Sequence, residues 1–90
     1  MLVLWRNNIG NAVMRGGYRV AFGVGGAGAS DLVGIFNGRA VFAEIKTPVG
    51  RLSTEQKRFQ QLVTAKGAIY VVLRSVEDAR AWITQLRSAA

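Results

Sequence analysis

Two carboxylates and a lysine are spaced in this sequence so that they could do chemistry together: Asp31, Glu44 and Lys46, the last two within Glu44-Ile45-Lys46. Between Asp31 and Glu44 lies Asn37-Gly38, flanked by apolar, β-prone residues. That dipeptide is the strongest short-range signal for a two-residue type I′ turn, because both central residues need φ > 0. Such a turn sets the register, with Phe36 opposite Arg39, Gly34 opposite Val41 and Asp31 opposite Glu44. Side chains alternate with period two, so Asp31, Glu44 and Lys46 emerge on one face. Opposed residues have Cβ atoms about 4.5–5.5 Å apart, and like charges there destabilise a sheet. A divalent cation and an ammonium would balance the pair. In that chemistry the carboxylates hold the cation, which polarises a phosphate and lowers the pKa of an attacking water. The Ile45 backbone carbonyl would add an oxygen ligand, and Lys46 would orient the water or stabilise charge in the transition state. A plain ion pair of Lys46 with Asp31 or Glu44 explains any one of these residues, but not the set.

The other three acids need no function. Glu55, Glu77 and Asp78 fall in the first turns of expected helices, where the macrodipole favours negative charge. Unpaired charge within apolar strands is costly, which leaves Asp31 and Glu44 to be balanced.

Composition narrows the classes further. Ninety residues make one small domain, residues 1–90, with a modest core that dimerisation would help. There is no cysteine and no histidine, which excludes a disulfide framework, a Cys/His zinc site and histidine acid–base catalysis. A catalytic metal must then take oxygen ligands, which points to Mg²⁺ or Mn²⁺. Twelve Lys/Arg against five Asp/Glu give a formal charge of +7, favouring a polyanion, with nucleic acid first. The first acidic residue is Asp31, so Arg6, Asn7, Asn8, Arg15 and Arg19 precede any negative charge. They are either ordinary surface residues or phosphate contacts. No apolar run approaches the roughly 20 residues of a membrane span, and Met1–Trp5 is too short for a signal-peptide core. An intracellular protein is expected on these grounds.

The elements that must position the three residues follow in order. Residues 2–6 read as a strand and Tyr18–Phe22 as a second. Gly23, Gly25 and Gly28 match G-x-G-x-x-G, but a strand follows rather than a helix, so no nucleotide cofactor is expected. The glycines either let a DNA backbone come close or simply make a flexible connection. The hairpin is apolar on both faces, with Val33, Ile35, Ala40 and Phe42 on one and Leu32, Phe36, Val41, Ala43 and Ile45 on the other. It belongs in the middle of a sheet. Ser53-Thr54-Glu55-Gln56 is a capping box opening a helix to about Lys66, with Phe59, Leu62 and Val63 as its apolar stripe. Gln56, at the border of that stripe, either caps or reaches the hairpin. Ala68–Leu73 reads as a buried strand. Ser75 caps a last helix with Val76, Ala79, Trp82, Ile83 and Leu86 on its apolar side. The class is α/β, or α+β, with a mixed central sheet flanked by helices.

At these residues the sequence resembles the PD-(D/E)XK nucleases: Ser30-Asp31 stands at the first motif and Glu44-Ile45-Lys46 at the second. The closer resemblance is to the virus-type replication-repair nuclease (VRR-NUC) domain. It runs through Trp5-Arg6-Asn7-Asn8, Gly28-Ala29-Ser30-Asp31-Leu32-Val33-Gly34, Glu44-Ile45-Lys46-Thr47-Pro48 and Gly50-Arg51-Leu52-Ser53-Thr54-Glu55-Gln56-Lys57, nearly the whole chain. Gln56 matches that family's glutamine motif. The resemblance implies a restriction-endonuclease-like fold and Mg²⁺- or Mn²⁺-dependent DNA cleavage. Asp31, Glu44, Lys46 and Gln56 would be catalytic, and Asp31, Glu44 and the Ile45 carbonyl would hold metal. Arg6, Asn7, Asn8, Arg15, Arg19, Ser30, Arg51 and Lys57 would contact DNA. Stand-alone members in phages and bacteria look like homodimeric Holliday-junction resolvases, which implies a cytoplasmic, bacterial or phage-encoded protein. Members within larger repair proteins cleave flaps and other branched DNA. The given sequence departs from the family at its start: the family's N-terminal helix, which brings a further metal-site glutamate, does not precede Trp5 here, as expected if that helix has been lost, if the start codon lies upstream of Met1, or if the sequence has been shortened. A non-catalytic DNA-binding module with an incomplete metal site is the rival expectation. A basic RNA-binding scaffold ranks below both, because the paired exposed aromatics of stacking platforms are lacking.

Overall fold

Asn37 and Gly38 take φ of 48° and 79°, the left-handed pair that a type I′ turn needs, and the hairpin they close is the centre of the molecule. A computed structural model describes residues 1–89. The hairpin strands β4 (Leu32–Phe36) and β5 (Arg39–Ile45) pair antiparallel with Phe36 opposite Arg39 and Gly34 opposite Val41, as the turn dictates. Strand β1 (Leu2–Arg6) adds antiparallel to the far side of β4, and β6 (Ile69–Leu73) adds parallel to β5. The sheet is therefore mixed, in the order β1-β4-β5-β6. Two further strands, β2 (Gly10–Val13) and β3 (Arg19–Phe22), form a separate antiparallel ribbon.

Parallel strands need a crossover, and helix α1 (Thr54–Ala65) supplies it between β5 and β6. Its first turn carries the expected capping box. Ser53 Oγ accepts from the Gln56 N–H at 3.1 Å, and Gln56 Oε1 accepts from the Ser53 N–H at 2.8 Å. The helix stops at Lys66, followed by Gly67 at φ 92°. Helix α2 (Val76–Ala89) begins at Ser75, whose Oγ accepts from the Asp78 N–H at 3.0 Å.

The period-two alternation of the hairpin separates two cores. Phe36, Val41, Ala43 and Leu73 face α2 and pack on Trp82, with Ala79, Ile83 and Leu86 at the margin. Phe42 faces α1 and packs on Phe59 and Val63, its ring meeting Phe59 edge-on at 5.0 Å between centroids. One helix therefore covers each face, making a small α/β protein with a mixed four-stranded sheet.

Five expectations change. Strand β6 starts at Ile69 rather than Ala68 and is fully buried only at Leu73. The ribbon strand β2 is additional, and β3 starts at Arg19 rather than Tyr18. Gly10-Asn11-Ala12-Val13 is four residues long with little β-propensity, and only its partner defines it. Val76 and Leu62 are exposed rather than on the packed stripes. The hairpin is not covered on both faces throughout. On the α1 side the helix reaches β5 and β6, leaving Ile35 of β4 and its β1 neighbours Val3 and Trp5 exposed. Among the described residues, no helix is long and apolar enough to cross a membrane.

Candidate active site

The α1 face of the hairpin ends in charge. Glu44 follows Phe42 by two residues and so points to the same face, but only 4 % of it is exposed. One carboxylate oxygen is held: Glu44 Oε2 accepts from Gln56 Nε2 at 3.3 Å and lies 3.8 Å from Lys46 Nζ. The other, Oε1, is buried with no hydrogen-bond partner. Burial raises the Glu44 pKa to about 7, reinforced by the neighbouring Asp31 carboxyl and its charge; the Lys46 ammonium and the Asp31 backbone pull the other way. Asp31 itself is exposed, and its Oδ2 accepts from the Ile45 N–H at 2.8 Å. The register read from Asn37-Gly38 thus brings Asp31, Glu44 and Lys46 together, and Gln56 joins them from α1.

Gln56 does not choose between its two expected roles. Its carbonyl caps α1 while its amide nitrogen donates to Glu44, so one side chain fastens the helix start to the buried acid. The glycine-rich loop braces the same helix. A Cβ on Gly28, which sits at φ +80°, would lie 2.4 Å from the Glu55 carbonyl oxygen. A Cβ on Gly25 would lie 2.6 Å from the Phe59 ring. The loop is therefore packed on α1 rather than being a loose connection, and the close approach its glycines permit is to that helix.

The expected DNA contacts divide. Arg6, Asn7, Asn8 and Ser30 line one cleft of about 560 Å³ together with Asp31, Ile9, Ala29 and Leu32. Two of these are spent on the fold. Ser30 is fully buried and its hydroxyl donates to the Leu32 carbonyl at 2.8 Å, so its expected phosphate contact is withdrawn. The Asn7 amide donates to the carbonyls of Val24 at 2.9 Å and Ser30 at 3.0 Å, and its Oδ1 accepts from the Val24 N–H at 3.0 Å. The Asn7 backbone N–H also donates to the Asp31 carbonyl at 2.7 Å. Asn7 is a latch that holds the glycine loop against the start of the hairpin. Arg51 and Lys57 are exposed on either side of the capping box. Arg15 and Arg19 sit on the ribbon, away from the lining of the cleft.

Replacing Asn7 by alanine strands the Val24 N–H and the Val24 and Ser30 carbonyls. Denaturant unfolding should show a loss of about 1–3 kcal/mol. Limited proteolysis should then cut first within residues 23–29.

Two neighbours went unnoticed in the sequence. Tyr70, opposite Phe42 in the β5–β6 pairing, has a buried hydroxyl with no hydrogen-bond partner. Its pKa is pushed up to about 12, chiefly by burial and then by the charges of Glu44 and Asp31, so it remains a proton donor. Only the parallel register, set by a twelve-residue helix rather than a tight turn, places it there. The Arg74 guanidinium donates to the Thr47 and Gly50 carbonyls, holding the segment that follows Lys46. No local pattern marks it.

The donor set suits a hard cation. Among the described residues there is no group of three His, Cys, Asp or Glu side chains that could share a metal. Mg²⁺ does not require one, since it is commonly held by one or two carboxylates, with water and substrate phosphate completing its shell. Asp31, Glu44 and the Ile45 carbonyl would offer oxygen donors of that kind, and Glu44 Oε1 is a buried acceptor with no hydrogen-bond partner.

No family model, curated protein or solved structure matches the chain. The site alone must carry the function.

Proposed function

We propose that the protein is an Mg²⁺- or Mn²⁺-dependent DNA endonuclease that hydrolyses phosphodiester bonds in branched DNA, with Asp31, Glu44, Lys46 and Gln56 as its active site. The observation that carries this reading is the buried Glu44, with one oxygen unpartnered, beside a second carboxylate and a lysine. A structural ion pair would satisfy both oxygens of a buried acid. Here Gln56 and Lys46 engage only Oε2. The sequence resemblance supports the same reading and adds a restriction-endonuclease-like arrangement of the mixed sheet.

When bound, the cation would supply charge for the scissile phosphate and acidify the attacking water. The chain's own residues do the rest. Gln56 fixes the Glu44 carboxylate from the side. The Ile45 N–H holds one oxygen of Asp31 and leaves the acid otherwise open towards the cleft. Lys46 Nζ lies 3.8 Å from Glu44 Oε2, placed to offset negative charge that builds on the phosphate. Arg6 and Asn8 line the cleft that begins at Asp31, where a phosphate backbone would lie.

As a homodimer the protein would present two equivalent sites, which suits paired incisions in a four-way junction. The homodimeric Holliday-junction resolvase is therefore the favoured form, with flap cleavage as the variant substrate class. A DNA-binding module without cleavage remains the rival, because both predict salt-sensitive binding. Incubation with flap, splayed-arm, duplex and four-way DNA, with and without Mn²⁺, separates them. The parent should cut branched DNA only with the metal, and Lys46→Ala should lose cutting while keeping binding. Binding without metal-dependent cutting by the parent would establish the module, and equal cutting by Lys46→Ala would remove Lys46 from the site.

A further inference from the structure

Among the described residues, none of the β2–β3 ribbon belongs to either core. Its strands form their own sheet and, among the described residues, pack chiefly on each other. The radius of gyration is 14.6 Å, above the roughly 12 Å of a compact chain this long, as expected if the ribbon stands away from the body. Its face carrying Asn11, Val13, Arg19 and Ala21 is open to solvent. At its tip, Met14–Tyr18 make a tight turn closed by hydrogen bonds from the Met14 N–H to the Tyr18 carbonyl at 2.7 Å and from the Gly17 N–H to the Met14 carbonyl at 3.0 Å. That tip exposes Met14, Arg15 and Tyr18, the last 61 % exposed. An isolated two-stranded ribbon is marginal in water, so an open apolar and basic ribbon gains by burial against a partner.

The root is the opposite of loose. Asn7 bonds both backbone groups of Val24, and a Cβ on Gly23 would lie 2.6 Å from the Asn8 carbonyl oxygen, so the two legs of the ribbon meet in contact. Asn8 and Ile9 at that root also line the cleft that contains Asp31, and the Asn7 N–H bonds the Asp31 carbonyl. The ribbon therefore rises from the rim of the candidate active site with a fixed base.

We infer that the β2–β3 ribbon is a DNA-gripping arm that enters a groove of the duplex flanking the cut site, with Arg15 and Arg19 on phosphates and Tyr18 and Met14 against the groove wall. This rests on the DNA reading above. Charge decides the occupant: residues 1–30 include Arg6, Arg15 and Arg19 and no acid, and the whole chain carries +7, so a polyanion is favoured over a second copy. Size agrees, since the major groove is about 12 Å wide and admits a two-stranded β-ribbon.

The test is fluorescence anisotropy with a labelled four-way junction, metal-free, across a salt series. It compares the parent, Arg15→Ala/Arg19→Ala, Arg15→Lys/Arg19→Lys and Tyr18→Ala. These side chains are exposed, so circular dichroism should match the parent. The double alanine protein should bind at least about tenfold more weakly near 0.1 M salt, with a salt slope shallower by about two. The lysine protein should keep the parent's slope, and Tyr18→Ala should weaken binding at an unchanged slope. Parent-like affinity and slope in the double alanine protein would overturn the arm while leaving the nuclease reading intact. A parent that binds no DNA would overturn both. If the alanine protein instead changes from dimer to monomer on size exclusion, with DNA affinity per chain unaltered, the ribbon is a contact between copies and the inference fails.

Discussion

Glu44→Gln should make the metal-free protein more stable above pH 7 while removing the DNA cleavage proposed for it. The two effects have one origin. In the folded chain the Glu44 pKa is raised from 4.5 to about 7, mainly by burial and then by Asp31, so the native state holds its proton more tightly than the unfolded state. Stability therefore falls as pH rises from about 4.5 to about 7, and stays lower above that. The shift corresponds to a penalty of about 3 kcal/mol, which the neutral amide avoids. Thermal unfolding at pH 8 should show Tm higher by more than about 10 °C in Glu44→Gln, and the slope between pH 4.5 and 7 should flatten. Added Mg²⁺ or Mn²⁺ should close the gap by stabilising the parent alone. Cleavage should drop on the order of a thousandfold, since several kcal/mol of charge stabilisation depend on the bound cation. A destabilised Glu44→Gln protein would show instead that the acid is a structural ion pair.

Gly28→Ala should damage the fold and the site together. The new methyl would lie 2.4 Å from the Glu55 carbonyl oxygen and 2.9 Å from the Gln56 N–H nitrogen, both backbone, at φ +80° where alanine is strained. Neither atom can move without disturbing the capping box that Gln56 completes. Denaturant unfolding should show a loss of about 3 kcal/mol or more. At a temperature where the variant is still folded, cleavage should fall further than Asn7→Ala lowers it. Asn7 fastens the far side of the loop, whereas Gly28 touches the helix turn that positions Glu44 through Gln56. Parent-like stability in Gly28→Ala would mean the loop does not brace α1.

Local chemistry explains what was legible in the sequence. Asn37-Gly38 admits essentially one turn, and one turn determines the register of the hairpin from Leu32 to Ala43, leaving Asp31 just before the ladder. The capping box made the start of α1 equally plain, and the alternation along β5 separated the two cores. What stayed hidden depends on partners distant in the chain. The strand β2 exists because β3 pairs with it; Gly10-Asn11-Ala12-Val13 carries no strong signal of its own. Asn7 and Ser30 are polar residues near an acid, which suits phosphate binding as well as backbone bonding, and only the tertiary fold shows that both are occupied. Glycines 25 and 28 could have served DNA or flexibility, until the neighbouring helix appeared against them. Tyr70 reached the site through a parallel register that no turn sets.

The central claim is that one cation and one proton compete for Glu44 beside Asp31. Calorimetric titration of Mn²⁺ into the metal-free parent near pH 7, repeated in two buffers of different ionisation enthalpy, tests it most directly. About one Mn²⁺ should bind per chain, with a buffer-dependent heat from the released fraction of a proton, and both should be lost in Glu44→Gln. No Mn²⁺ binding by the parent, or binding that persists unchanged in Glu44→Gln, would contradict it.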